Sequence, residues 1–278
     1  MVLNSYSKIN LSLSINKKIK NGLHEIQSYY CLINLSDKIN IIKINKKKDK
    51  ILFKGPFVKY IKKKDNSIAN LLRLLRKLKL ISSYYSVTVI KNVPIFSGLG
   101  GGTSNAAFVL KFLLKGRIAK NILNKIEKLI GSDLRLFFYK QGFLENLKTV
   151  KAFKKKQKLI FMLSRPNINC STREIYSKVK EYTKKTKFNF HKTKTKKKFI
   201  NYILDNKNEL QSIVEKKHPI IKKLLIDIGV KKGCYLSRMS GSGSVCYGLF
   251  KSESSAKKAL NQIKAKYPKF WFSLAKTV

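Results

Sequence analysis

The sequence predicts an α+β fold in two halves, and three observations carry that prediction. Residues 8–15, "KINLSLSI", alternate apolar and polar strictly. The middle of the first half carries helical stripes instead, as in "DNSIANLLRLLRKLKL". After Lys151 the texture changes, with helices and short strands following one another up to a closing "FWFSLAKTV". The chain has 278 residues, 44% of them hydrophobic, which is enough for one large core or two ordinary ones. The expected division falls between a domain of residues 1–155 and one of residues 156–278.

In the strand at 8–15, Ile9, Leu11, Leu13 and Ile15 share one face, and Lys8, Asn10, Ser12 and Ser14 the other. A turn at Asn21-Gly22 leads into a second strand through "LHEIQSYY"; "DKINIIKI" and "ILFKG" are the third and fourth. A helix follows, capped by Asp65 or Asn66, with Ile68, Leu71, Leu72, Leu75 and Leu78 on its stripe. "YSVTVIKNVP" is a strand halted by Pro94, a helix begins near Ser104, and a second helix ends at Gly131. In the second half "QKLIFMLSRP" reads as a strand and "STREIYSKVKEY" as a helix. Residues 183–198 are almost all polar and read as a linker or mobile loop. Helices near 199–204 and 208–228, a glycine loop within "SRMSGSGSVCYGLF" and a capped helix in "SESSAKKALNQIKAKY" precede the last strand.

Composition excludes several functions. No run of about 18 apolar residues is present, so no membrane-spanning helix is expected. The first fifteen residues alternate instead of forming an apolar leader, which makes the cytoplasm the expected location. Cys31, Cys170, Cys234 and Cys246 are scattered, without metal-ligand spacing, so no metal site is expected. The net charge of +47 comes from 61 basic and 14 acidic residues, and only seven of the basic residues are Arg. The lysines are spread along the chain among Asn and Ile, whose codons are A/T-rich like those of Lys. Base composition therefore accounts for the charge without a specific nucleic-acid partner, although non-specific binding of polyanions is compatible with it.

The chemistry concentrates in "PIFSGLGGGTSNAA". Four of the 14 glycines stand at 98, 100, 101 and 102. Neither G-x-x-x-x-G-K-[ST] nor G-x-G-x-x-G is present: the sixth position from Gly98 is Thr103, and from Gly241 it is Cys246. A strand, a glycine bend and a helix opening at Thr103-Ser104 still supply an anion site at the helix start, with hydroxyls for phosphate or magnesium.

This stretch resembles the central motif of the small-molecule kinase superfamily that contains galactose, homoserine, mevalonate and phosphomevalonate kinases (the GHMP kinases). "SYSKINLSLSI" resembles the first motif of that superfamily and "MSGSGSVCYGLF" its third, in the family order. Within it, "SKINLSLSI", "NGLHEIQSYYCLINLSDKINI", "KDNSIANLLRLL", "SNAA" and "RPNINCSTREIY" resemble the family of 4-diphosphocytidyl-2-C-methyl-D-erythritol kinases, over nearly the whole chain and most weakly from about 180 to 205. The resemblance implies two lobes with the active site in the cleft between them. The N-terminal domain would bind ATP and the C-terminal domain would lie on the substrate side. It also implies transfer of a phosphoryl group from ATP with Mg2+ to a hydroxyl of a small cytidylyl substrate, in isoprenoid precursor synthesis.

By position in those motifs, Asp133 is the implied base and Lys8 its electrostatic partner. Asn10 and His24 are implied on the substrate, His24 at the cytosine edge, together with Ser240, Gly241, Ser242 and Gly243. Asn66, Lys91, Pro94, Gly98, Leu99, Gly100, Gly101, Gly102, Thr103 and Ser104 are implied at ATP. The chain departs from the family at two places. Leu23 stands where an aromatic usually stacks on cytosine, leaving an apolar platform or Tyr202, near Leu204, to replace it. Leu134-Arg135 replace a usual Val-Pro, which is expected to loosen the loop and bring a cation near Asp133. Two other readings remain open at this point: a sibling kinase with another acceptor, and a basic nucleic-acid-binding protein on a related scaffold.

Overall fold

A computed structural model describes residues 1–19, 22–59, 61 and 65–278. The turn expected at Asn21 therefore lies outside the described residues. The chain divides into two compact units. The first comprises Met1–Lys8, Leu35–Ile95 and Gly100–Tyr139; the second comprises Ile9–Asn34, Phe96–Leu99 and Lys140–Val278.

In the first unit the second half of β3 (His24–Ile44) pairs antiparallel with β5 (Tyr84–Ile90), and β4 (Lys50–Lys54) runs parallel to β5 at the edge. β1 (Val2–Asn10) also pairs with β3. This unit also holds three helices, α1 (Ser67–Lys77), α2 (Gly101–Leu113) and α3 (Lys120–Ile130), with α1 packed against both α2 and α3. The helical spacing of Ile68, Leu71, Leu72 and Leu75 puts all four on one buried face of α1. There they bury apolar area at about 25 cal/mol per Å². Leu78 forms the C-cap instead of continuing the stripe.

In the second unit the first half of β3 pairs with β2 (Ser14–Lys18) and with β6 (Gln141–Asn146), and β7 (Thr149–Ala152) extends that side. A separate antiparallel sheet has the order β11-β8-β10-β9, formed by β8 (Ile160–Arg165), β9 (Cys234–Met239), β10 (Cys246–Phe250) and β11 (Trp271–Lys276). Its helices are α4 (Thr172–Ser177), α5 (Lys196–Asp205), α6 (Gln211–Lys217), α7 (Pro219–Gly229) and α8 (Glu253–Lys266). All five residues of β10 are buried. That suits a central strand covered on both faces and explains its unbroken "CYGLF".

Several elements differ from the sequence reading. The strand expected at 8–15 is interrupted at 11–13. The N–H groups of Leu11 and Ser12 both donate to Tyr29 O, and that of Leu13 donates to Lys207 O, so the chain leaves the ladder there. Both of its faces are buried: Lys8, Asn10 and Ser12 are no more than 3% exposed, like the leucines beside them. The strands expected on either side of residue 34 form one continuous β3, since Asp37 serves as a side-chain acceptor and not as a turn. α2 opens at Gly101, three residues before the expected start.

Residues 183–198 are not a free linker. Thr183 N–H donates to Ile15 O at 2.8 Å, Thr186 N–H donates to Gln27 Oε1 at 2.8 Å, and Phe188 stacks on Phe143 at 5.7 Å. The compact units also depart from a single division at 155/156. Residues 9–34, 96–99 and 140–155 group with the second unit, because the first half of β3 takes its ladder partners from β2 and β6.

Candidate active site

In the first unit, β1 carries Lys8 to a short 3₁₀ helix, Ser132–Phe138, whose first turn holds Asp133. Lys8 Nζ lies 3.3 Å from Asp133 Oδ2. The lysine side chain is 4% exposed and the carboxylate 32%. The ammonium is thus fixed from behind, while the carboxylate keeps an open side from which a hydroxyl can approach. Leu134, Leu136 and Phe137 are fully buried and hold this turn in place. Arg135 makes a bidentate pair with Glu127 at 2.9 and 2.7 Å and donates to Asn124 at 3.0 Å. The expected loosening and stray cation are therefore not found: the guanidinium is neutralised by its own carboxylate.

Beside this pair, α2 follows its N-cap residue Gly100, which has φ +70 and provides no side-chain cap. The starts of α1 and α2 are adjacent, since Ser67 Oγ donates to Gly102 O at 2.7 Å. Neither first turn contains an acidic residue. Two helix starts with positive dipole ends and no carboxylate within their first turns suit a polyanion, Asp65 before the α1 cap being bonded to Asn70 Nδ2. Gly101, Gly102 and Thr103 remain partly or fully exposed.

Ser104, by contrast, is buried and donates to Tyr6 O at 2.6 Å, 2.7 Å from Ser5 Oγ, so its hydroxyl faces β1. Asn66 caps α1 by accepting from Ala69 N–H at 3.0 Å. Lys91 is 2% exposed and pairs with buried Asp37, which also accepts the N–H groups of Asn92 and Val93 at 2.8 Å each. Lys91 thus lies beneath the glycine turn, its Nζ 3.4 Å from where a Gly101 Cβ would stand. Pro94 is buried in this unit.

The second unit holds the other predicted residues. Asn10 N–H donates to Ser240 Oγ at 3.2 Å, Asn10 Nδ2 to Ser28 Oγ at 2.8 Å, and Ser28 Oγ to Ser12 O at 2.5 Å. Ser240 Oγ lies 3.1 Å from Gly98 O as donor, and Val245 N–H donates to Ser97 O at 3.1 Å. The end of the first motif, residues 96–99 and the third-motif loop are therefore laced together by neutral hydrogen bonds. Ser242 Oγ meets Thr172 Oγ1 at 2.8 Å, Gly241 and Gly243 are buried, and Leu99 is fully buried.

His24 is 8% exposed, and its Nδ1 is buried without a hydrogen-bond partner among the described residues. Burial first, then the charge of Lys18, holds its pKa below the usual 6.5. Tyr176 lies 5.2 Å from its ring and Tyr182 6.2 Å, the latter nearly parallel at 24°. Tyr202 packs edge-on against Tyr29 at 5.3 Å instead, and Leu23 and Leu204 are 47% and 44% exposed. Sequence reasoning missed both tyrosines beside His24, although Tyr176 closes the quoted "STREIY" segment.

Comparison with known proteins agrees with these motifs. Residues 192–269 match the family model described as GHMP kinases C terminal. A protein of Pelagibacter ubique named 4-diphosphocytidyl-2-C-methyl-D-erythritol kinase is 36% identical over 99% of this chain and 98% of its own. Its namesake from the Wolbachia of Brugia malayi is 30% identical over 95% and 94%. The crystal structure of a 4-(cytidine 5'-diphospho)-2C-methyl-D-erythritol kinase superposes with a TM-score of 0.76 at 19% identity over all of both chains. That of homoserine kinase from Cytophaga hutchinsonii gives 0.65 at 15% over 100% and 93%. The fold is that of the GHMP kinases, an α+β arrangement. No described helix is long and apolar enough to cross a membrane.

Proposed function

Because the chain belongs to the family of 4-diphosphocytidyl-2-C-methyl-D-erythritol kinases, which are ATP-dependent small-molecule kinases of isoprenoid synthesis, we propose that it phosphorylates the 2-hydroxyl of 4-diphosphocytidyl-2-C-methyl-D-erythritol. The observation that carries this reading is the Lys8–Asp133 pair, a half-open carboxylate beside a buried ammonium. Asp133 accepts the hydroxyl proton as the oxygen attacks the γ-phosphorus. Lys8 holds the carboxylate in place and stabilises charge on the transferring group.

ATP binds through the starts of α1 and α2, with its phosphates at Gly100, Gly101, Gly102 and Thr103. Pro94, Gly98, Leu99 and Ser104 set the course of the loop, and Lys91 supports it from below. Asn66 shapes the α1 start beside the nucleotide. Magnesium bound with the nucleotide would neutralise phosphate charge, and the Thr103 hydroxyl at the α2 start is the side chain that would assist in holding it, with phosphate oxygens and waters as the other ligands.

On the substrate side, His24 offers the donor–acceptor edge a cytosine needs, and its Nδ1, without a partner among the described residues, supports that role. Tyr176 and Tyr182 supply the rings that Leu23 does not. Asn10 and residues 240–243 hold the remaining polar groups. The 1–155 half takes the ATP role and also contributes Asn10 and His24 to the substrate, and the 156–278 half supplies the rest of the substrate side. The same reading makes the protein cytoplasmic and its affinity for nucleic acid non-specific.

The test is ADP release from Mg-ATP with and without the cytidylyl substrate, with Asp133→Asn in parallel. Substrate-dependent release that Asp133→Asn abolishes is expected. A folded, ATP-binding protein that this substrate does not stimulate would direct the search to another acceptor alcohol.

A further inference from the structure

Residues 207–209 join α5 to α6 as a turn, although the sequence pattern predicts a helix already from 208. In the fold they bind two motifs at once. Lys207 O accepts Leu13 N–H at 2.9 Å and Glu209 N–H donates to Leu13 O at 2.9 Å, while Glu209 Oε2 accepts Ile15 N–H at 2.6 Å. These bonds fix the chain three to five residues beyond Asn10. Asn208 reaches the third-motif loop: it is 4% exposed, and its Nδ2 donates to Met239 O and Gly241 O at 2.8 Å each. Its Oδ1 accepts Leu210 N–H at 3.1 Å, which fixes the orientation of the amide.

We infer that Asn208 is a positioning residue for the phosphorylation reaction, setting the third-motif loop at residues 240–243 relative to Asn10 so that both address one substrate. This rests on the reading of that loop as the substrate side. The chemistry specifies the residue type. Two carbonyls two residues apart need a planar group with two N–H bonds, and Leu210 N–H needs an acceptor on the same group. Aspartate keeps the size and the acceptor but sets an oxygen against two carbonyl oxygens. Leucine keeps the size and offers no donor, leaving two buried acceptors unpaired. Either change displaces the loop without touching the Lys8–Asp133 pair.

Asn208→Asp and Asn208→Leu test this in the full-length protein. With the cytidylyl substrate, kcat/KM should fall by about 10- to 100-fold, while the dissociation constant for ATP, titrated without acceptor, changes less than about two-fold. Hydrogen exchange provides a readout independent of turnover. The Gly243 amide, which donates to Ser240 O at 3.0 Å, should exchange about ten-fold faster in Asn208→Leu, and amides of α2 should not change. Unchanged exchange at Gly243, unchanged kcat/KM in folded variants, or loss of ATP affinity in proportion would overturn the role. If the wild-type protein does not turn over this substrate, the functional reading fails, and the exchange result still decides whether Asn208 anchors the loop.

Discussion

Gly98 and Gly100 stand two residues apart in one loop, and each is a glycine for a different neighbour. Both have positive φ, +74 and +70. A Cβ on Gly98 would meet Ser240 O at 2.0 Å, a backbone atom of the second unit. A Cβ on Gly100 would meet the tip of the Phe137 ring at 2.9 Å and the Lys8 stem at 3.4 Å, both within the first unit. The same contrast separates the candidate residues of the two units. Those of the second unit are backbone and neutral side chains locked together, so shape is what a substitution damages. Those of the first unit are a charged pair and two helix starts, α2 without a side-chain cap and α1 capped by neutral Asn66, so there a substitution damages charge placement.

The largest expected effect is chemical. Asp133→Asn should lower kcat by about 10³-fold with little change in melting temperature, since the carboxylate is partly exposed and its removal leaves no cavity. A loss of fold in this variant would mean that the pair is structural. Gly98→Ala should come next, destabilising the protein by about 3 kcal/mol or more in denaturant unfolding, because a backbone oxygen has nowhere to retreat. Gly100→Ala should cost about 1–2 kcal/mol and lower kcat by about ten-fold through the displaced Lys8 stem. Equal effects at the two glycines would erase the contrast.

Arg135→Met should destabilise by about 3 kcal/mol, since Glu127 is left buried and unpaired, with kcat unchanged. A fall in kcat would show that the guanidinium does reach Asp133 chemistry after all. The smallest effect concerns pH. His24 and His218 both have pKa values below the usual 6.5, each chiefly through burial. The folded state therefore binds fewer protons than the unfolded state. Stability should be full above about pH 6.5 and decline as pH falls through the depressed values. KM for the cytidylyl substrate should stay flat down to the His24 value, then rise. NMR titration of His24 measures that value directly, and a pKa at or above 6.5 would refute it.

Much of this was legible in the sequence where chemistry forces residue type. The α1 stripe, the Asn66 cap, the glycine turn and Lys8 facing Asp133 all follow from local pattern or motif order. The broken strand at 11–13 was not, because alternation reports which residues are buried and not where the ladder stops. Nor was Arg135: its partner Glu127 lies eight residues earlier on another element, a distance that no local pattern encodes. Asn208 was read as the opening of a helix over 208–228, since a polar residue between Lys207 and Glu209 carries no local sign of a buried amide that bonds a distant loop. Residues 183–198 misled as well: only Phe188 and Phe190 interrupt the polar residues, yet Phe188 stacks on Phe143 and anchors the segment.

Each compact unit is assembled from three separate stretches, and the chain passes between units at 8/9, 34/35, 95/96, 99/100 and 139/140. No single cut of the polypeptide therefore releases either unit intact. Neither unit can be exchanged with a relative as one contiguous cassette. Changes of acceptor must come by substitution within the weave, residue by residue.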